Sequence, residues 1–208
     1  MKSIVILIPV KSRRAKSRPS KQLSYSQRRQ LTLLMLKDLL DVFKRSNLIR
    51  ACFVVSPDDE VLSIAKRSGA GIVREERDRG VNAAVARGMR ETDSETVMVI
   101  PSDLPFLVSS DLRRLLGLKS LGLKVVMSPS MGFDGTNALL FSRKTPIPLS
   151  YDNNSFWAHL ESAGSASLSV GIYSSPGVVF DVDSPEDFMA LGRAKVKRRS
   201  VTFARMVL

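Results

Sequence analysis

The N-terminal stretch Ile4-Val-Ile-Leu-Ile-Pro-Val10 runs directly into the cationic segment Lys11-Ser-Arg-Arg-Ala-Lys-Ser-Arg18. An uncharged run of this length is typical of a strand buried on both faces of a parallel sheet. The run is short, contains Pro9 and lacks a small-residue cleavage site, which argues against a signal peptide. Because ligands of doubly wound sheets bind outside the carboxyl ends of the strands, the stretch predicts a buried strand with a cationic loop at the binding edge.

Similar runs at residues 51–56, 96–101 and 124–128 alternate with helical patterns. Helices are predicted at residues 27–43, 80–91 and 110–119, with Ser24 and Gln27 forming a capping box. Two further helix starts are predicted at residues 56–59 and 184–187, where Ser56 and Ser184 would be the caps, with proline at the first helical position and two acids after it. This alternation predicts a right-handed βαβ arrangement.

The regular alternation of strands and helices ends at about residue 129. After it, strands are predicted at 135–142, 167–174 and 178–182 and a helix at 153–164. The sequence therefore predicts an α/β fold, with a mostly parallel Rossmann-like sheet flanked by helices and some antiparallel strands in the C-terminal half. Because no linker, internal repeat or low-complexity stretch interrupts residues 1–208, we expect a single domain.

The net charge of +12 is concentrated in two segments. Residues 1–37 hold ten basic residues and no acid, and residues 192–208 hold six more and no acid. The tail from residue 195 is predicted to be a solvated surface or a subunit contact, so a homodimer is a candidate assembly. Nucleic-acid binding is disfavoured, because aromatic residues make up only 6% of the chain and are not interleaved with the basic clusters.

The single cysteine, Cys52, excludes a disulfide framework, and the single histidine, His159, excludes a His/Cys zinc site. No apolar run is long enough to cross a bilayer, so we expect no membrane partner and a cytoplasmic location. A P-loop motif is absent, and Gly69-Ala-Gly71 lacks the third glycine of a dinucleotide fingerprint. A serine-hydrolase triad is disfavoured because the chain also lacks a G-x-S-x-G motif.

Four groups of residues remain as candidates for chemistry. The cationic segment after the first strand could surround a triphosphate, or could be a solvated loop. Asp103, held between Pro101 and Pro105 at a strand end, suits Mg²⁺ but could instead cap the following turn.

The other two groups lie in the C-terminal half. Asp181 and Asp183 would share one face of a predicted strand and could share a cation. Thr136 and Asn137, with Asn153 and Asn154 further on, would suit a phosphate or carboxylate, although turn chemistry explains these residues equally well.

The ordered set of these motifs resembles the 2-phospho-L-lactate guanylyltransferase family, which serves the biosynthesis of the deazaflavin coenzyme F-420. The resemblance extends to about residue 192. It rests on Ile8-Pro-Val-Lys11, Lys16-Ser-Arg18, Leu23-Ser24 with Arg28 or Arg29, Val54-Val-Ser56-x-Asp58, Gly80-Val-Asn82-Ala-Ala-Val85, Pro101-Ser-Asp103-Leu-Pro105, Gly135-Thr-Asn137-Ala-Leu-Leu140, Ser155-Phe156-x-x-His159 and Asp181-Val-Asp183-Ser-Pro-Glu-Asp187. Pro19 and Tyr151-Asp152 depart from the family pattern, which has leucine and Phe-Gly there.

The resemblance implies a role for each group of residues. Lys11, Lys16 and Arg18 would bind the phosphates of GTP. Ser56, Glu75 and Asn82 lie where guanine or ribose contacts are expected. Asp103, Asp181 and Asp183 would hold Mg²⁺, with Asp103 and the three basic residues as the catalytic set. Thr136, Asn137 and Ser155 would hold the acceptor.

The implied reaction transfers GMP from GTP to 2-phospho-L-lactate and gives lactyl-2-diphospho-5′-guanosine and pyrophosphate. Phosphoenolpyruvate is the alternative acceptor, because related bacterial enzymes accept it. Other nucleotidyl transfers, to a sugar phosphate, a methylerythritol phosphate or a molybdenum cofactor, form a second hypothesis. A basic nucleic-acid-binding protein is the remote one.

Overall fold

The computed structural model describes residues 4–11, 23–145 and 147–208 and contains one seven-stranded sheet. The strands are β1 (Ile4–Pro9), β2 (Cys52–Ser56), β3 (Gly71–Arg74), β4 (Thr96–Val99), β5 (Val125–Pro129), β6 (Thr136–Ser142) and β7 (Val170–Ile172). The helices are α1 (Tyr25–Arg45), α2 (Asp59–Ser68), α3 (Val81–Glu91), α4 (Ser109–Ser120), α5 (Ser155–Ser165), α6 (Pro176–Val179), α7 (Pro185–Arg193) and α8 (Arg199–Val207).

The strand order in the sheet is β3-β2-β1-β4-β6-β5-β7. Strands β1 to β4 pair in parallel, whereas β6 runs antiparallel to both β4 and β5. The predicted α/β class, with a mostly parallel sheet and some antiparallel strands in the C-terminal half, is confirmed. Val5, Leu7 and Val97 belong to one apolar cluster, and Ile6, Ile8 and Met98 to another. Alternate side chains of β1 and β4 therefore pack into two cores, which explains their uncharged sequences.

The helix starts read from the sequence are partly confirmed. Ser24 caps α1 in a capping box with Gln27, and Ser184 caps α7 with Pro185 at its first turn. The assignment of Ser56 as a cap is wrong, because Ser56 ends β2 and Asp58 caps α2 instead. One oxygen of the Asp58 carboxylate, Oδ1, accepts hydrogen bonds from two backbone N–H groups of α2, as expected of an N-cap residue.

The strand predicted at residues 178–182 is wrong. The short helix α6 covers its first residues, and an irregular segment follows. The side chain of Asn137 donates to the carbonyl oxygens of Val178 and Val179, at 3.0 and 3.1 Å. These bonds satisfy carbonyls that a neighbouring strand would otherwise have to satisfy.

For the tail from residue 195, the prediction of a solvated surface is wrong, because the tail contains helix α8, whereas a subunit contact stays a prediction. This helix buries Val201, Phe203 and Ala204 in a cluster shared with α1 and α7. The carboxylate of Asp38 in α1 is buried and accepts hydrogen bonds from both the backbone N–H and the hydroxyl of Ser200. The tail is therefore anchored by apolar packing as well as by a buried carboxylate.

In the part of the chain that the structure describes, no helix combines the length and the apolar character that a membrane span requires.

Candidate active site

The candidate site lies at the edge of the sheet where the parallel strands have their carboxyl ends. Lys11 follows β1, Glu75 follows β3 and Asp103 follows β4. Strand β6 runs in the opposite direction, so its first residue, Thr136, lies at the same edge. Parallel pairing thus gathers residues that are far apart in the sequence, as expected for a doubly wound sheet.

A cavity of about 690 Å³ opens at this edge. Its size falls within the range of known small-molecule sites. Seven of the twelve residues predicted from the sequence line it: Lys11, Asp103, Thr136, Asn137, Ser155, Asp181 and Asp183. Lys16 and Arg18 lie outside the described residues.

Backbone and side-chain hydrogen bonds hold the three predicted metal ligands in one part of the cavity lining. This part, formed by Asp103, Asp181 and Asp183, is here called the acidic wall. The backbone N–H of Val182, between Asp181 and Asp183, donates to the Asp103 carbonyl oxygen at 3.3 Å. The Asn137 amide donates to Asp181 Oδ1, also at 3.3 Å. These bonds bring the end of β4 and the segment before α7 together without a strand at residues 178–182.

Helix α7 fixes the backbone of Asp183. The carboxylate of Asp187 accepts a hydrogen bond from the Asp183 backbone N–H at 3.0 Å and also completes the capping box with Ser184. A capping carboxylate near a helix N-terminus is favoured by the helix dipole. The Ser-Pro-Glu-Asp sequence that starts the helix therefore also supports the acidic wall.

No group of three or more His, Cys, Asp or Glu side chains arranged to hold a metal ion occurs among the described residues. A complete protein cage is not what Mg²⁺ requires, since it usually takes one or two carboxylates together with phosphate oxygens. The donor set at this wall, carboxylates beside a cavity, fits that chemistry.

A second part of the lining, here called the hydroxyl wall, is built from hydroxyl groups backed by a histidine. Ser155, the first residue of α5, donates from its hydroxyl to Thr136 Oγ1 at 3.1 Å. His159 Nδ1 lies 3.0 Å from the same oxygen, and His159 Nε2 accepts a hydrogen bond from the Ser150 backbone N–H. Burial lowers the pKa of His159 to about 4, against a smaller opposite effect of a hydrogen bond with the Ser155 backbone.

The three residues predicted to contact guanine or ribose lie near the cavity but do not line it. Ser56 is buried and donates from its hydroxyl to the Val10 carbonyl oxygen at 2.8 Å. Glu75 donates its backbone N–H to the Ser56 carbonyl oxygen, and burial, followed by the nearby charge of Asp78, raises the pKa of its carboxyl. Ser56 and Glu75 are thus neighbours at the ends of β2 and β3.

The side chain of Asn82 is hydrogen-bonded to the loop before α5. Its side-chain oxygen accepts a hydrogen bond from the Tyr151 backbone N–H at 2.8 Å, and its amide donates to the Asp152 carboxylate at 3.1 Å. The structure therefore connects Asn82 to the hydroxyl wall through residues 151 and 152, a link that the sequence did not reveal.

Several cavity residues were missed by sequence reasoning. They are Thr32 and Met35 from α1, together with Ser130 from the loop between β5 and β6. Met35 belongs to the apolar periodicity of α1 and Thr32 is buried on the same helix, so neither carries a sequence signal for a site. Ser130 could have been suspected, because its hydroxyl closes the Gly135 turn by accepting from the Gly135 backbone N–H.

The described lining is strongly acidic. Five lining residues are carboxylates, namely Asp103, Asp134, Asp152, Asp181 and Asp183, whereas Lys11 is the single cationic residue among the described lining. A polyanion could bind among these carboxylates only with added positive charge, because like charges repel strongly in a partly desolvated cavity.

Solved structures with this fold include nucleotidyltransferases. A crystal structure from Desulfovibrio desulfuricans G20, assigned to the nucleotide-diphospho-sugar transferases, superimposes with a TM-score of 0.76 at 15% identity, covering 99% of this chain and 95% of that one. A nucleotidyl transferase from Methanothermobacter thermautotrophicus gives a TM-score of 0.66 at 15% identity and covers 98% and 99% of the two chains.

One further structure of this fold was determined with a metal ion. The glucosyl-3-phosphoglycerate synthase from Mycobacterium tuberculosis, in complex with Mg²⁺ and uridine diphosphate, gives a TM-score of 0.60 at 15% identity and covers 82% and 68% of the two chains. At these identities the three structures establish the fold alone.

Sequence similarity narrows the class to a family. The family model described as "Guanylyl transferase CofC like" matches residues 4–202, and the chain belongs to that family. The phosphoenolpyruvate guanylyltransferase of Rubrobacter xylanophilus is 37% identical over 193 residues, covering 91% of this chain and 93% of that protein. The 2-phospho-L-lactate guanylyltransferase of Methanocaldococcus fervens is 34% identical over 187 residues, covering 90% and 82%.

Proposed function

We propose that this enzyme transfers GMP from GTP to 2-phospho-L-lactate, giving lactyl-2-diphospho-5′-guanosine and pyrophosphate in the biosynthesis of coenzyme F-420. The observation that carries the proposal is the cavity at the sheet edge, where an acidic wall and a hydroxyl wall face one space in a member of a guanylyltransferase family. A carboxylate-bound metal ion suits the nucleotide, and hydroxyl donors suit a phosphorylated carboxylic acid.

The nucleotide would occupy the side of the cavity at Lys11, the first residue of the cationic segment. Lys11, Lys16 and Arg18 would bind the phosphates of GTP, and their positive charge would offset the acidic lining. Ser56 and Glu75, adjacent at the ends of β2 and β3, would lie beside the guanine or the ribose. Asn82 would act between the nucleotide and the loop of residues 151 and 152, because its side chain is bonded to that loop.

The residues present fit Mg²⁺. Asp103 with Asp181 or Asp183 would supply the one or two carboxylates that the ion usually takes from a protein. When bound, the ion would neutralise charge on the transferring phosphoryl group and align the triphosphate. The acidic lining supports this assignment, because a triphosphate needs cations between itself and the carboxylates.

Thr136 would bind the acceptor through its hydroxyl group, and Ser155, whose own hydroxyl donates to Thr136 Oγ1, would support that contact. Asn137 was also predicted to bind the acceptor, but its amide nitrogen is already engaged by the carbonyl oxygens of Val178 and Val179 and by Asp181. We therefore assign the Asn137 side chain to the support of the acidic wall.

The reaction needs little acid–base catalysis by the protein. A phosphate oxygen of the acceptor attacks the α-phosphorus of GTP, the bond to the β-phosphate oxygen breaks, and pyrophosphate leaves. A phosphate monoester has a second pKa of about 6, so the nucleophile is mostly dianionic at neutral pH and needs no general base. What remains for the protein is alignment and charge stabilisation.

Phosphoenolpyruvate is the second candidate acceptor, favoured by the 37% identity to the Rubrobacter xylanophilus enzyme of that name. The two acceptors share a phosphate and a carboxylate and differ at the carbon that carries the phosphate, so the same hydroxyl wall could bind either. A small-molecule reaction of this kind fits a cytoplasmic enzyme with no nucleic-acid or membrane partner, and a homodimer remains a candidate assembly.

Pyrophosphate release tests the proposal. The purified full chain is given Mg²⁺, one of the four ribonucleoside triphosphates, and either 2-phospho-L-lactate or phosphoenolpyruvate. We expect release with GTP, with kcat/KM for 2-phospho-L-lactate at least about tenfold above that for phosphoenolpyruvate, a difference of about 1.4 kcal/mol. The reverse preference would establish the second candidate, and release from another triphosphate with neither acceptor preferred would overturn both.

A further inference from the structure

We propose that His159 is a positioning residue that makes the Thr136 hydroxyl a hydrogen-bond donor to an anionic oxygen of the acceptor. This inference rests on the proposed function, because it assigns the acceptor to the wall formed by Thr136 and Ser155. It adds a task for the one histidine of the chain, which does not itself line the cavity.

The first step concerns which nitrogen of His159 carries the proton. The Ser150 backbone N–H, 3.0 Å from Nε2, can only donate, so Nε2 must offer its lone pair. A neutral imidazole with an unprotonated Nε2 carries its proton on Nδ1. His159 is fully buried, and the resulting fall of its pKa to about 4 keeps the ring neutral near pH 7.

The second step concerns the hydroxyl of Thr136. A protonated Nδ1 can only donate, and Thr136 Oγ1 lies 3.0 Å from it, with the Ser155 backbone as a further contact of the ring. The Ser155 hydroxyl donates to the same oxygen. With both lone pairs of Oγ1 engaged, the remaining hydrogen-bonding capacity of Thr136 is its own O–H, which must then find an acceptor elsewhere.

The third step concerns where that O–H can point. Thr136 and Ser155 line the cavity, whereas His159 lies behind them. The Thr136 oxygen accepts two hydrogen bonds, one of them from the buried His159, so its O–H is left to donate toward the cavity that Thr136 lines, and the polarisation along such a chain strengthens its donation. The group that it recognises is an oxygen of a carboxylate or phosphate, the anionic groups of a phosphorylated carboxylic acid.

Two substitutions test the two hydrogen bonds of the His159 ring one at a time. In His159→Asn, the side-chain amide can occupy the place of Nδ1 and still donate to Thr136. In His159→Gln, the longer amide reaches the place of Nε2, so it can accept from the Ser150 backbone N–H but not replace the Nδ1 donor. The pair therefore tests the Nδ1 donor against a role that is only structural.

The kinetic test measures KM for the acceptor and for GTP in both variants. We expect His159→Gln to raise the KM for the acceptor at least about tenfold, the usual value of a hydrogen bond to a charged group, with the KM for GTP changed less than about twofold. His159→Asn should remain within about threefold of the wild type for both. Equal effects of the two variants on the acceptor KM, or none, would overturn the proposal.

A double-mutant cycle covers the case in which one histidine variant does not fold. Thr136→Val removes the hydroxyl at nearly constant volume and should raise the acceptor KM as His159→Gln does. If His159 acts through Thr136, the double variant should be no worse than Thr136→Val by more than about twofold. Effects that multiply would show that His159 acts independently and would overturn the proposal.

A spectroscopic test is independent of turnover. Because the chain has one histidine, a long-range ¹H–¹⁵N correlation spectrum of the labelled full chain reports His159 alone. At pH 7 we expect a protonated Nδ1 and an unprotonated Nε2, and the opposite tautomer would overturn the proposal. If the wild type transfers GMP to neither acceptor, the proposed function fails and this inference with it, whereas an active enzyme with an unchanged acceptor KM in Thr136→Val defeats the inference alone.

Discussion

Substitution of Asp103 or Asp183 is the most direct test of the proposal that the acidic wall binds a metal ion. Asparagine in either place keeps the size of the side chain and removes its charge, so turnover should fall by about a hundredfold or more while the fold persists. The measurement is kcat at saturating Mg²⁺ and GTP, together with the melting temperature, which should move by less than about 3 °C.

The matched control is Asp93→Asn, which neutralises an exposed carboxylate outside the cavity. Its turnover should remain within about twofold of the wild type, because a distant solvent-screened charge contributes little. Near-normal turnover in both Asp103→Asn and Asp183→Asn would contradict the proposed ligand set.

His159 should make the stability of the protein depend on pH. Its pKa is near 6.5 in the unfolded chain and about 4 in the folded protein, so the folded state favours the neutral ring. The stabilisation is complete above pH 6.5 and is lost as the pH falls toward 4.

Between pH 7 and pH 5 the free energy of unfolding should therefore fall by about 2 kcal/mol more in the wild type than in His159→Gln. Urea unfolding of both proteins at the two pH values measures this difference. The same pH dependence in both proteins would show that other groups are responsible.

The sequence predicted which residues meet at the candidate site better than it predicted the contacts between them. Lys11, Asp103 and Thr136 were predictable, because strand ends in a parallel sheet share an edge and each residue adjoins a strand. The bond between Asn82 and the loop of residues 151 and 152 was not predictable, since no local pattern links residues about 70 positions apart. The Asn137 bonds to the backbone of α6 were hidden for the same reason.

The Arg29–Asp58 ion pair joins α1 to the start of α2. Arg29 binds both carboxylate oxygens of Asp58, at 2.5 and 3.1 Å, and this hydrogen-bonded pairing holds the pKa of the Asp58 carboxyl below its usual value. Asp58 also caps α2. Asp58→Asn, which keeps a capping oxygen, should lower the free energy of unfolding by about 1 to 2 kcal/mol, and Asp58→Ala by about 2 to 3 kcal/mol.

Denaturant unfolding at pH 7 distinguishes these two losses. Glu60→Gln is the control, because Glu60 also binds Arg29 but is more than half exposed, and it should cost less than about 0.5 kcal/mol. Since the pKa of Asp58 is lowered on folding, the gap between wild type and Asp58→Asn should close as the pH falls below the usual carboxyl range. A gap that persists in acid would exclude the ion pair as its cause.

The helices and strands that were predicted well have strong local sequence patterns, and those that were missed have weak ones. Helix α1 has a capping box and a long apolar periodicity. Strand β3 went unpredicted because it is four residues long and partly exposed at the edge of the sheet. Helix α8 was hidden by its basic residues, although Val201 and Ala204, three apart, already marked an apolar face.

Helix α8 links the C-terminal end of the molecule to the acidic wall of the cavity. Val201 and Phe203 share one apolar cluster with Phe180 and Val182, the residues on either side of Asp181. Packing on one side of this segment therefore supports the side chains that face the cavity on the other. A basic tail that looked peripheral in the sequence becomes part of what holds the proposed metal ligands.

Phe203→Ala tests this link between the tail and the site. Truncation of a buried aromatic ring should lower the free energy of unfolding by about 3 kcal/mol, and the vacated volume should loosen the segment that carries Asp181. We expect kcat/KM for GTP to fall about three- to tenfold at a temperature where the variant is still fully folded. Met206→Ala, in the same helix but 80% exposed, should change neither quantity appreciably.

Urea unfolding and steady-state kinetics on the same samples measure both effects of Phe203→Ala. Removal of residues 195–208 should be more severe, because it also deprives the buried Asp38 of its partners in Arg199 and Ser200 and leaves an uncompensated carboxylate in the core. A truncated chain that folds with wild-type stability and activity would show that α8 is peripheral. If Phe203→Ala lost stability but kept its full kcat/KM, the helix would support the fold without positioning the acidic wall.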